Sequence, residues 1–125
     1  MKYNIRESHT LYRDNKYTGL LKKILEKFRD EAAKRGHVPL VLVMPQLLDL
    51  ELAGEKDAPY EPFYREVDRE HLPVLDLTPE FRKHSTEKLY IDDRYGGHLS
   101  AEGNRIVAKA LAAKIRSLGG ADTEF

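Results

Sequence analysis

The chain has 125 residues, of which 41% are hydrophobic, and its 21 basic side chains balance 21 acidic ones. This composition predicts a single small globular domain spanning residues 1–125, and a net charge of zero without long runs of like charge argues against nucleic acid as a partner. The lack of cysteine excludes disulfides and thiolate metal sites. The sequence shows no apolar leader and no run long enough to span a bilayer, so no membrane association is expected, and the compartment stays undetermined.

The first half of the chain contains one strong helical pattern. Residues 1–17 are polar, with tyrosines at no clear period, and they are interpreted as a loop with room for a short helical turn. From Thr18 onward apolar residues recur at helical spacing until Gly36, which predicts an amphipathic helix of about four turns. Its apolar stripe consists of Leu20, Leu21, Ile24, Leu25, Phe28 and Ala32.

Two aliphatic runs predict the strands of a sheet. The run at 38–45 is bounded by prolines and suits a strand that is covered on both faces in a parallel sheet. The run at 73–78 follows a short helical piece at 47–52 and a second helix between residue 60 and residue 71. The order helix, strand, helix, strand, loop, helix favours a parallel sheet with right-handed crossovers. In such sheets ligands bind beyond the carboxyl ends of the strands.

The candidate site lies in the last part of the chain, after a loop at 79–91. Asp92 and Asp93 precede a loop with two glycines, and His98 then stands just before a helix that Ser100 is expected to cap. A histidine that is oriented by a nearby carboxylate can act as a general base, because the carboxylate fixes the ring tautomer and stabilises the imidazolium. The sequence therefore predicts a base at His98, with Asp93 or Asp92 as its orienting acid.

Other interpretations of these residues stay open at this point. His98 is also compatible with a histidine that only bonds the loop at a helix cap, and the two aspartates with plain turn carboxylates. The three residues together would suit a divalent ion, but such clusters are common in loops by chance, so neither a metal site nor a cofactor is predicted. Asp76 is expected to bond loop amides, and Gly103 to mark close packing. The other histidines are expected at the surface: His9, His37, His71 and His84.

The run from Gly97 to Asn104, Gly-His-Leu-Ser-Ala-Glu-Gly-Asn, together with Val107-Ala108, resembles the last conserved block of the SGNH (GDSL-type) hydrolases. The resemblance implies a flavodoxin-like α/β fold, a three-layer arrangement with a parallel sheet between flanking helices. It also implies a Ser-His-Asp triad that cleaves acyl esters or transfers acetyl groups through a serine acyl-enzyme. The family spacing is Asp-x-x-His, whereas four residues separate Asp93 from His98 here and five separate Asp92 from it.

The family's Gly-Asp-Ser nucleophile motif and its Gly-x-Asn-Asp oxyanion motif are absent from the sequence. None of the four serines follows an apolar strand, so no nucleophile is assigned: Ser8, Ser85, Ser100 and Ser117. The resemblance therefore implies an incomplete fold, about the C-terminal 60% of a domain of roughly 200 residues. The intact parent would act on a small-molecule or carbohydrate ester, and this chain alone would be inactive.

The alternative function is a noncatalytic α/β module that binds a partner. With either function, a sheet of two or three strands would leave an apolar edge unpaired, and self-association through that edge is expected.

Overall fold

The structure is a computed structural model that describes residues 2–92 and 97–119. These residues form a mixed α/β structure with two small sheets, which confirms the predicted α/β class. None of the helices in this part of the chain is long and apolar enough to cross a membrane. The elements in chain order are α1 (Lys2–Leu11), α2 (Asn15–Lys34), β1 (Val41–Val43), α3 (Leu47–Ala53), α4 (Glu61–Arg69), β2 (Val74–Asp76), α5 (Thr78–Phe81), α6 (Thr86–Leu89), β3 (Tyr90–Asp92), β4 (His98–Leu99) and α7 (Ala101–Ser117).

The N-terminal segment is helical, so the prediction of a loop over residues 1–17 is wrong. Short helices are marginal in water and depend on tertiary contacts, which a local pattern does not reveal. Here Tyr12, just after α1, shares a hydrogen bond with Tyr64 of α4, at 3.1 Å between the two hydroxyl oxygens. Asp14 then caps α2 by accepting a hydrogen bond from the backbone N–H of Lys16 at 2.9 Å, so this helix begins three residues before Thr18.

Strands β1 and β2 pair in parallel, with Val41 opposite Val74 and Val43 opposite Asp76. Helices contribute apolar side chains to both faces of this pair. Val41 and Val43 pack with side chains of α2 and α4, whereas Leu75 packs in a second cluster with side chains of α3, α5 and α7. The parallel pairing follows the prediction. A pair of strands does not by itself establish the three-layer, flavodoxin-like sheet.

Helix α7 begins where its sequence predicts. The Ser100 side chain accepts a hydrogen bond from the backbone N–H of Gly103 at 3.0 Å, which is the expected N-cap. A Cβ atom at Gly103 would lie 2.5 Å from the backbone oxygen of Leu89, so the close packing expected at this glycine is also confirmed. This contact fixes the start of α7 against the strand that follows Leu89.

Candidate functional site

The candidate site is built on an antiparallel hairpin, β3–β4. Tyr90 pairs with Leu99, and the next pair joins Asp92 to His98. Ile91 lies between the two paired residues of β3, whereas Leu99 and His98 are adjacent in β4. Ile91 is therefore the extra residue of a β-bulge, and its side chain is 71% exposed. Bulges change the direction of neighbouring side chains and are frequent beside active sites. The hairpin brings the backbone of one predicted acid directly opposite the predicted base.

The three predicted site residues differ in how far the structure describes them. His98 is exposed and stands two residues before the Ser100 cap, as expected. For Asp92 the structure describes the backbone at the end of β3, and Asp93 lies outside the described residues. The proposed hydrogen bond between either carboxylate and His98 therefore stays a prediction.

The hairpin packs against the segment that follows β1. Gly97 has a φ of 78°, and a Cβ atom there would lie 2.8 Å from Cδ1 of Tyr90 and 3.0 Å from Cβ of Leu47. The Tyr90 hydroxyl also donates a hydrogen bond to the backbone oxygen of Pro45 at 2.7 Å. Because Pro45 and Leu47 come just after β1, the residue before His98 lies at the carboxyl end of the parallel pair. This is the rim where open α/β sheets bind their ligands.

Tyr90 is a neutral donor at this position. Burial raises the pKa of its hydroxyl well above the ordinary value for tyrosine, and the negative charge of Asp49 contributes in the same direction. The hydroxyl therefore keeps its proton at any physiological pH, and its hydrogen bond to Pro45 holds β3 to the loop after β1 without a charged group.

The serine closest in sequence to His98 is already engaged in the helix cap. The Ser100 hydroxyl donates to the backbone oxygen of Lys88 and accepts from Gly103. The hydroxyl of Ser117 donates to the backbone oxygen of Lys114 at 2.7 Å, at the other end of α7. Neither serine is presented as a nucleophile for His98, in agreement with the sequence analysis, which assigned none.

A second histidine and carboxylate pair was missed by the sequence analysis. His9 was expected at the surface, but it is only 8% exposed, and its Nε2 atom lies 2.8 Å from Oδ1 of Asp49. The expectation was wrong because the two partners are 40 residues apart and no local pattern connects them. The other carboxylate oxygen, Oδ2, accepts a hydrogen bond from the backbone N–H of Gln46 at 2.8 Å.

The position of this second pair indicates a structural role. Both oxygens of Asp49 are engaged, one at the start of α3 and the other with α1. The rings of His9 and Tyr60 form a T-shaped contact with 6.0 Å between their centroids. The pair fastens α1 to α3, and burial keeps the His9 ring from a substrate. His98, by contrast, is exposed at the rim.

A buried ion pair joins the start of α4 to the residue that follows α5. Glu61 is 1% exposed and accepts two hydrogen bonds from the Arg82 guanidinium, at 2.8 and 2.5 Å. Nearby, the Asp76 carboxylate accepts a hydrogen bond from the backbone N–H of Thr78 at 2.8 Å, which confirms the role expected for this residue. Burial is the largest influence on Asp76 and raises the pKa of its carboxyl group.

Among the described residues, no three histidine, aspartate or glutamate side chains are grouped so that they could hold a metal ion. No protein-family model, curated protein or solved structure matches the chain. The features of the chain that bear on function are therefore the sequence block around His98 and the geometry of the hairpin.

Proposed function

We propose that this chain is the C-terminal part of an SGNH-type ester hydrolase or acetyl transferase, and that it supplies the general base and its orienting acid. His98 is the base. The observation that carries the proposal is the hairpin register, which pairs the backbone of Asp92 with His98 beyond the carboxyl end of β1. The exposure of His98 and its place before the α7 cap support the same role.

The hairpin also explains how an acid and a base that are farther apart in the sequence than in the family can lie close together. Five residues separate Asp92 from His98, which is longer than the family's Asp-x-x-His. The antiparallel pairing compensates for this length, because directly opposed residues of two antiparallel strands have Cβ atoms about 4.5–5.5 Å apart. We therefore choose Asp92 as the orienting acid, and Asp93 is the alternative that the same experiments test.

In the intact enzyme His98 would take the proton of a serine hydroxyl as the oxygen attacks the ester carbonyl. The imidazolium would then give that proton to the leaving alcohol. His98 would next deprotonate a water or acceptor alcohol as its oxygen attacks the acyl-serine carbonyl, and would return this proton to the serine oxygen as the bond between the serine and the acyl group breaks. The aspartate stabilises the imidazolium in both steps. The serine and the oxyanion donors would come from polypeptide outside this sequence, within a three-layer sheet that β1 and β2 would continue.

The isolated chain should accordingly have no esterase activity above that of a His98→Ala variant. The test of the proposal is to read the coding sequence upstream of Met1 for a strand followed by Gly-Asp-Ser. A longer chain that includes this motif should then be assayed with a short-chain aryl ester.

In that longer chain we expect His98→Ala to lower kcat by at least about a hundredfold, the lower end of what a general base contributes. Asp92→Asn should lower it as well, while His37→Ala, an exposed histidine in a loop, should leave it unchanged. Undiminished turnover in His98→Ala would contradict the proposal.

A noncatalytic partner-binding module is the second candidate function, and one observation favours it. Large apolar side chains are exposed on α2 and beside β1, among them Leu20 at 59% and Met44 at 45%. Exposed apolar surface of this kind is a common mark of an interaction site. A stop codon directly upstream, with no Gly-Asp-Ser in frame, would favour the module over the hydrolase.

A further inference from the structure

Helix α2 is docked on the rest of the molecule by only one flank. Leu25 packs in the cluster that contains Val41 and Val43, and the Lys22 ammonium bonds the Glu70 carboxylate at 2.7 Å. None of the 20 residues of this helix is fully buried. Four large side chains are exposed along another face, at a spacing of three or four residues: Tyr17 (45%), Leu20 (59%), Ile24 (56%) and Phe28 (46%).

Strand β1 has an open edge close to this helix. The backbone N–H of Val41 donates to Pro73 at 2.9 Å, and the backbone oxygen of Val43 accepts from Leu77 at 3.0 Å, so these groups point toward β2. Backbone groups alternate along a strand, and those of Leu42 therefore point the other way. In the described part of the chain no strand pairs with that side. An unpaired edge of this kind is a template for another strand.

The exposed face of α2 is complementary to itself about a two-fold axis through Ile24. Leu20 and Phe28 each lie four residues from Ile24, so in an antiparallel pair of α2 helices the Leu20 of one copy meets the Phe28 of the other. In an antiparallel pair, the positive N-terminal end of each helix dipole also lies beside the negative C-terminal end of the other, which is electrostatically favourable.

The open edge of β1 can pair with the same edge of a second copy, also about a two-fold axis. An antiparallel pairing of two β1 strands, with Leu42 at the axis, would join the two parallel pairs into one four-stranded sheet. The helix and the strand are close, because Leu25 of α2 packs against the same buried cluster as Val41 and Val43 of β1. A single isologous contact can therefore use both features.

We propose that this 125-residue chain forms a symmetric dimer through the α2 face and the β1 edge, with Ile24 and Leu42 near the two-fold axis. Together with Val38, Leu42 and Met44, the α2 face makes seven large apolar side chains that are at least 36% exposed. If a large side chain offers about 200 Å², these exposed fractions correspond to about 700 Å² per copy, close to the roughly 800 Å² that each partner buries in a standard interface. The dimer goes beyond the proposed function and does not depend on the role of His98.

Sedimentation equilibrium over a range of concentrations tests the dimer, which should have twice the monomer mass of 14.4 kDa. Ile24→Glu should weaken association at least tenfold, because it places a charge on the axis. The control is Ala33→Glu, which introduces the same charge at an exposed position of α2 off the apolar face. Leu42→Pro should also weaken association, because it removes an outward N–H and leaves the bonds of β1 to β2 in place.

Cysteine trapping tests the geometry in the otherwise native chain, which contains no cysteine. Ile24→Cys should give an interchain disulfide. Leu20→Cys alone should not, because its two copies would be offset by eight residues, about 12 Å along the helices. A mixture of Leu20→Cys and Phe28→Cys should form the mixed disulfide.

A mass of 14.4 kDa at all concentrations would overturn the dimer. Equal disulfide yields for Ile24→Cys and Ala33→Cys would overturn the proposed axis.

Discussion

The same substitution, glycine to alanine, should have opposite effects at two helical positions. At Gly103, in the first turn of α7, a new Cβ atom would lie 2.5 Å from the backbone oxygen of Leu89 and 3.1 Å from Cδ2 of Leu99. The Leu89 oxygen cannot easily retreat, because it accepts a hydrogen bond from the backbone N–H of Ser100 at 2.7 Å. At Gly19, inside α2, a Cβ atom would meet nothing within 4 Å.

The expected magnitudes follow from these contacts. Alanine is favoured over glycine inside a helix by about 1 kcal/mol, and Gly19→Ala should stabilise the fold by up to that amount. At Gly103 this gain is opposed by a clash with main chain, and overpacking costs about 1–3 kcal/mol. Because a gap of 2.5 Å requires the backbone itself to move, we expect Gly103→Ala to destabilise the fold by about 1 kcal/mol net.

Urea denaturation of the wild type and both variants measures this difference directly. In thermal unfolding, 1 kcal/mol should shift Tm by about 4 °C for a chain of this size. If Gly103→Ala is as stable as the wild type, or if both variants are stabilised alike, then α7 does not press on Leu89 and the start of this helix is placed differently.

Three further predictions concern the buried polar groups. His9→Ala should destabilise the fold by about 1–3 kcal/mol, because Asp49 loses a buried partner. The control His37→Ala should change the free energy of unfolding by less than about 0.5 kcal/mol. Equal effects of the two substitutions in urea denaturation would refute the structural role of the pair formed by His9 and Asp49. Glu61→Gln should cost about 3 kcal/mol in the same assay, because the Arg82 charge loses its partner, and a neutral result would mean that solvent reaches this pair. The raised pKa of Asp76 means that the folded state holds this proton more tightly than the unfolded state, so the wild type loses stability as pH rises through the folded pKa. As the pH rises from about 3 to about 7, the free energy of unfolding of Asp76→Asn should therefore increase relative to that of the wild type. A difference between the two that does not change with pH would contradict burial of this carboxyl group.

Local sequence patterns were enough for the elements whose ends carry their own signals. The apolar period and Gly36 predicted α2, and Ser100 with the following apolar residues predicted α7. The strands were overestimated in length, since the aliphatic runs at 38–45 and 73–78 each contribute only three residues to β1 and β2. An apolar pattern indicates which side chains are buried, whereas the length of a strand depends on how many of its backbone groups are hydrogen-bonded to a neighbouring strand.

The parts that escaped prediction depend on contacts between distant residues. The helix α1 is held by His9 and Tyr12, whose partners lie 40 and 52 residues away. The β3–β4 hairpin pairs so few residues, with a bulge between them, that it leaves no alternating pattern to detect. The sequence did place His98 correctly before its helix, because that position depends only on a local cap.

NMR of the imidazole nitrogens can show whether Asp92 orients the ring of His98. Long-range proton–nitrogen spectra report which ring nitrogen of the neutral histidine carries the proton, and a carboxylate partner fixes that tautomer. The spectra should be compared for the wild type, Asp92→Asn and Asp93→Asn. We expect Asp92→Asn to shift the tautomer ratio of His98 and Asp93→Asn to leave it unchanged. Unchanged spectra in both variants would mean that neither aspartate orients the ring, and His98 would then be a helix-cap residue.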